Sequence, residues 1–243
     1  MKKNKPYLLF LLLCLFFQIY SQKKLNFLIG PLPFLNGVPV VSSDYSYIML
    51  MLLWYFPIAA LLFMFSGYLK KSSVSHGILI ITRSQVKTSY LYKLYFKTFL
   101  AIFIFVLAQT FIAIIFIKDI SFIYNTKLFI TLLSYFLLLV FIIATLYLIE
   151  LYINHDMLAL LFSNMCLISS LIFPKIIKYL EIPNYFQYYV FTNYGMLYKS
   201  LEHSEISFYS LIINPFYGLI IITLFNIFIY ILIAKKFKEI EFL

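Results

Sequence analysis

The chain has 243 residues, of which 64% are hydrophobic and 12% charged. A soluble domain carries about twice that share of charge, so a water-soluble globule is excluded and the apolar side chains must face lipid as well as one another. A net charge of +10 in a soluble protein would point to nucleic acid; here the lysines flank apolar runs, so the lipid surface is the expected partner and nucleic acid is not.

A span needs roughly 20 mostly apolar residues. The first candidate, 7–20, is short and follows Lys2, Lys3 and Lys5. That layout also describes a signal peptide, but no small-residue cleavage site follows Ile19-Tyr20-Ser21-Gln22, so a retained span is expected. The loop 21–44 is broken by Pro31, Pro33, Gly37 and Pro39, with its apolar pieces, such as Phe27-Leu28-Ile29, at the interface. The second span is 45–69, bent by Pro57. The third, 98–117, carries no charge, and the fourth, 128–149, ends at Glu150, which reads as an interfacial residue. Asn154 or Asp156 is expected to cap the fifth span, 157–173, which Pro174 closes. The sixth is 209–233, with Pro215 in its first turns.

These spans predict an all-α, multi-pass integral membrane protein with six transmembrane helices, 1–243 forming one transmembrane domain in the cell membrane. With the N-terminus inside, the inner segments carry twelve of the 19 lysines and arginines and the outer segments seven. That excess predicts that both termini face the cytoplasm.

Little in the sequence points to catalysis. None of the six glycines lies in a phosphate-binding loop, so ATP is not expected to bind this chain. His76, His155 and His203 are scattered, and neither a metal-ligand cluster nor a nucleophile elbow appears. Cys14 and Cys166 lie in apolar runs and read as small buried hydrophobes. No span holds a charge near its middle, which removes the usual basis of ion-coupled transport. The chain is read as a non-enzyme without metal or cofactor of its own.

Two segments carry the functional signal. Lys70 to Lys97 is too charged to cross the bilayer and too apolar for a solvated linker, because Gly77-Ile78-Leu79-Ile80-Ile81 interrupts it. Four consecutive branched side chains spread around a helix, so a lipid surface covers only part of them; the segment reads as a surface helix held by anionic lipids or as a docking element for an intracellular subunit, two readings that are compatible. The second segment, 175–207, gathers Tyr179, Tyr185, Phe186, Tyr188, Tyr189, Phe191, Tyr194 and Tyr198. Tyrosine favours the membrane interface, with an apolar ring and a wet hydroxyl, so packed short helical pieces are expected there.

The order of spans, Gly77 to Ile81 followed by Arg83-Ser84 and Lys87, and the basic helix through Tyr92-Lys93 into span three together resemble ABC-2 type transport permeases. The small size is similar to Gram-positive permeases that handle bacteriocins, lantibiotics or peptide toxins. The first span is shorter than that family usually makes it. The resemblance implies a cytoplasmic coupling segment, formed by Ser75, His76, Gly77, Ile78, Ile80, Arg83, Ser84 and Lys87, that receives motion from a separate ATP-binding ABC ATPase dimer. It also implies a second permease chain as partner, and re-entrant or interfacial short helices between spans five and six. Tyr185, Tyr188, Tyr189, Phe191 and Tyr194 would then line the outer interface and the path of an amphipathic substrate. Two other readings stay open. One is a non-transporting immunity module that captures a peptide or lipid at the outer face. The other is a vitamin-importer capture subunit using polar residues such as Asn184, Gln187 and Asn193.

Overall fold

The computed structural model describes residues 5–24, 32–39, 43–69, 87–117, 125–199 and 213–239. Regular structure among them is entirely helical. Six α-helices follow in chain order: α1 (Lys5–Lys24), α2 (Asp44–Phe65), α3 (Lys87–Ile117), α4 (Thr126–Ile153), α5 (Asp156–Tyr179) and α6 (Pro215–Glu239). α2 to α6 are each long and apolar enough to cross a membrane, whereas the apolar stretch of α1, Phe10–Gln22, is shorter. This is the architecture of a multi-pass membrane protein.

The helix starts follow local chemistry. The Ser43 hydroxyl accepts from the Ser46 N–H at 3.4 Å to open α2, and Asn125 Oδ1 accepts from Leu128 N–H at 3.3 Å to open α4. Between α4 and α5 the roles differ from expectation. Asn154 closes α4 in the left-handed region (φ 55), which Asn tolerates better than most residues. His155 is the cap of α5, its Nδ1 accepting from Leu158 N–H at 3.4 Å. Asp156 falls in the first turn, where its charge suits the helix dipole.

The basic helix expected to run into span three is continuous with it: α3 extends from Lys87 to Ile117. Two other boundaries correct the sequence reading. α6 begins at Pro215 and runs to Glu239. Proline has no N–H to lose at a first helical position, and Asn214 Oδ1 accepts from Phe216 N–H at 3.0 Å. The second is α5, which continues through Pro174 to Tyr179. Proline cannot donate to the carbonyl four residues back, which frees the oxygen of Ser170. The Thr192 hydroxyl donates to that oxygen at 3.4 Å, and the Tyr47 hydroxyl donates to the next one, on Leu171. Neighbouring chain satisfies the break, as is required where water is absent.

α4 is the spine: 56% of its apolar window is buried against 22% for α6, so α4 sits centrally and α6 lies outside it. α6 packs chiefly on α4, while α1 packs on α2 and α3. Residues 32–39 are buried in the bundle, deeper than the interfacial position expected of this loop, whose Phe27-Leu28-Ile29 lie outside the described residues. Trp54 Nε1 donates to the Phe34 carbonyl at 3.2 Å, and the Phe34 and Trp54 rings meet Tyr135 at 5.6 and 6.2 Å. Polar side chains also join helices: Gln109 Nε2 donates to Gln18 Oε1 at 3.1 Å, and Tyr55 donates to Asn164 Oδ1 at 2.7 Å. Neither cysteine is fully buried; Cys14 is half-buried and Cys166 is exposed on the outside of α5.

The α2–α5 pairing gives the first test. Tyr47→Phe removes the donor to Leu171 and leaves that carbonyl beside a proline break. The expected loss is about 0.5–1.5 kcal/mol, read as a lower thermal midpoint of the purified protein in detergent. An unchanged midpoint would show that this bond contributes nothing.

Candidate functional site

The aromatic segment after α5 is built from its backbone upward. Glu181 adopts a left-handed conformation (φ 52), and the Ile182 N–H returns to the Ile177 carbonyl at 2.9 Å, closing α5 with a Schellman-type turn. Pro183 follows, then three short 3-10 helices: Asn184–Tyr189, Phe191–Gly195 and Leu197–Lys199. They hold one another by side chain to backbone bonds. Asn193 Nδ2 donates to the Gln187 carbonyl at 2.9 Å, and the Tyr194 hydroxyl donates to the Tyr188 carbonyl at 2.5 Å. Burial, with Tyr188 alongside, pushes the Tyr194 phenol pKa up.

The second short helix is pressed onto α4. A Cβ added at Gly195 would lie 2.6 Å from Leu138 Cδ2 and 3.3 Å from Tyr135 Cα, so a side chain here would have to displace Leu138 and crowd the α4 backbone. The side chain of Met196 lies over Gly37, which has φ +77, tying the segment to residues 32–39. Phe191 meets Phe141 at 5.5 Å, and Phe141 meets Phe225 of α6 at 5.7 Å.

The five aromatic residues singled out from the sequence therefore divide. Tyr185, Tyr188 and Tyr189 are exposed, with Tyr185 stacked on Phe186 at 4.8 Å. Phe191 is half-buried and Tyr194 is buried. They form an outward aromatic face over an inward anchor, not one lining. Of the polar residues of this segment, Asn193 and Gln187 are buried, and Asn184 is the first residue of the first short helix.

Ser75, His76, Gly77, Ile78, Ile80, Arg83 and Ser84 lie outside the described residues. Lys87 is the first residue of α3. The chain entering this segment is fixed. The Gly67 N–H (φ +68) donates to Glu150 Oε1 at 2.6 Å, and the Ser66 hydroxyl donates to the Asp156 carbonyl at 3.3 Å. Glu150 is thus a buried residue, 6% exposed, rather than one solvated at the end of its helix. Its carboxylate takes the Gly67 N–H just past the C-terminal end of α2. The Tyr147 hydroxyl, one turn away, shares a hydrogen bond with Thr98 of α3 at 3.0 Å. Among the described residues no group of three His, Cys, Asp or Glu side chains gathers as metal ligands do.

Residues 9–241 match the family described as protein of unknown function (DUF2705). The chain belongs to the DUF2705 family. The match reaches from α1 into α6, so the helices, the aromatic segment and both ends of the bundle lie inside the family's boundaries. The chain is 31% identical over 223 residues to the uncharacterized protein YybK of Bacillus subtilis (strain 168), covering 87% of this chain and 86% of that protein. No solved structure matches it.

The sequence did not reveal the seat of the aromatic segment. Its signal was Gly195 beside Tyr194, but a glycine in a loop has many uses. The seat is tested by two glycines of different surroundings. Gly195→Val overpacks against Leu138 and should cost about 1–3 kcal/mol. Gly218→Ala adds a Cβ at an ordinary 3.5 Å from Tyr194 Cδ1 and should leave the thermal midpoint nearly unchanged. Equal midpoints for the two variants would contradict the close approach.

Proposed function

We propose that the chain is the membrane-spanning permease subunit of an ABC transporter in the bacterial cell membrane, driven by a separate ATPase and exporting an amphipathic peptide or hydrophobic compound. One observation carries this reading: after the fifth span the chain turns back into the bundle as short helices seated on α4, where the ABC-2 resemblance expects re-entrant pieces. A plain hairpin loop between two spans would have no reason to fill the space beside Tyr135 and Leu138.

The other end of the bundle supports the same reading. The chain leaves α2 at a fixed point, Gly67 on Glu150, and resumes as α3 at Lys87. A push on the intervening segment therefore has a rigid anchor on one side and a long helix on the other. In this reading that end is cytoplasmic, as the excess of lysines predicts, and residues 75–87 dock the ATPase. Two such chains form the path. The exposed tyrosines 185, 188 and 189 meet the outer interface, where phenol rings are stable.

The coupling segment provides the functional test. Ile78→Asp or Ile80→Asp should abolish co-purification of an ATPase subunit at matched membrane levels. Charge reversal at Arg83 or Lys87 should weaken it less, because rim ion pairs contribute only about 0–1 kcal/mol. Retention of the partner and its ATP-dependent activity by every variant would remove the coupling role. A wild-type chain that captures peptide at 183–199 but brings down no ATPase would favour the immunity-module reading. Orientation is checked by cysteine labelling in intact cells: position 190 should react with an impermeant reagent from outside and position 80 should not.

A further inference from the structure

The second short helix carries a polar side chain into its seat against α4 and α6. Asn193 is 1% exposed. Its Nδ2 donates to the Gln187 carbonyl, which fixes the turn of the amide and leaves Oδ1 facing another way. Ser134 of α4 is equally buried. Asn193 Oδ1 and Ser134 Oγ make no hydrogen bond with the described residues. Both residues line one small cavity between α4, the start of α6 and the short helices.

A buried amide oxygen and a buried hydroxyl that have both lost their hydration are each costly. The cavity offers them one remedy. It has the size of a single water molecule, which excludes an organic ligand. No carboxylate lines it, which disfavours a cation. Water fits the donors and acceptors present. It accepts from the Ser134 hydroxyl and donates to Asn193 Oδ1. Thr131 lies one turn before Ser134 on the same face of α4 and lines the same cavity. The Thr131 hydroxyl donates to the Lys127 carbonyl, so its oxygen is left to accept the second water hydrogen. Three bonds are typical of a buried water. Met196, Ile213 and Pro215 make the apolar part of the wall and keep the water to the polar side.

We propose that this cavity is the binding site of one ordered water, which pins the second short helix to α4. Asn193 is then a positioning residue. Its nitrogen holds the first short helix, and its oxygen holds α4 through the water. Gly195, two residues on, lets the backbone approach α4, and the water fills the gap left at the polar end of that approach. The site requires neither an ATPase nor a substrate, so it stands apart from the permease reading.

The sign of one substitution tests it, with the full chain in lipid nanodiscs. With the water bound, Ser134→Ala removes one of its partners and should lower the thermal midpoint by about 2–4 °C. In a dry cavity the same change removes an unmet hydroxyl, and an unchanged or raised midpoint would overturn the site. Asn193→Leu removes the acceptor, and Ser134→Ala added to it should cost nothing further. An undiminished second loss would show that the Ser134 hydroxyl acts elsewhere, and the site would fall. A measurement on the unaltered chain is independent of how the variants fold. In proton-detected solid-state NMR of the chain in lipid bilayers, magnetisation should pass from water to the Asn193 side-chain amide, and Ser134→Ala should abolish that transfer. No transfer in the wild type contradicts the proposal. So does a midpoint that rises when sodium replaces choline in the buffer, which would make the occupant a cation.

Discussion

The carbonyl that Pro174 releases organises one end of this protein. In a lipid-facing helix a free backbone oxygen has no water to meet, so something from the chain must reach it. Thr192 does so at Ser170, and Tyr47 takes the neighbouring oxygen of Leu171. The first bond draws the short helices back against α5, and the second draws the start of α2 to the same place. Lys175, one residue past the proline, pairs with Asp44 and lies 4.8 Å from the Tyr47 ring centre. A residue that reads in sequence as a helix terminator is, in the fold, the reason three elements meet.

What was legible in the sequence was the part set by composition and run length. Apolar runs located each of α2 to α6, since a span must match the hydrocarbon thickness whatever its neighbours do, but not the ends of α3, α5 and α6. Prolines mislead in both directions, because their effect depends on who supplies the missing bond. Pro174 reads in sequence as an end and is interior; Pro215 reads as interior and is a beginning. The short helices of 184–199 were visible as a crowd of tyrosines, but their seat was not. A close backbone approach depends on the partner surface of α4, which lies far away in sequence. Gln18 and Gln109 were similarly opaque: each is a single amide in an apolar run, and only the fold brings them to 3.1 Å.

The bundle is not held uniformly. α2 is tied to α5 near one end by Tyr47 and Asp44, and near the other by Ser66, which reaches the first residue of α5. Glu150 adds α4 to that second tie. α2, α4 and α5 therefore resist sliding past one another. α3 is different. It touches α1, α4 and α6 more lightly than α4 touches α6, and only 33% of its apolar window is buried. Its cross-links to other helices include the Thr98–Tyr147 and Gln109–Gln18 hydrogen bonds, each of which is exchangeable.

That asymmetry bears on how a push at the α2–α3 connection would travel on the permease reading. The segment joins a helix that is anchored at its end to one that is lightly packed, and the two share almost no direct contact. Displacement would therefore pass into α3 and leave α2 in place. The far half of α3 carries Gln109, so the movement would reach the hydrogen bond between Gln109 and Gln18. A stiff α3 suits this role: it is 31 residues long and has no internal proline or glycine to absorb a displacement before it reaches the other end.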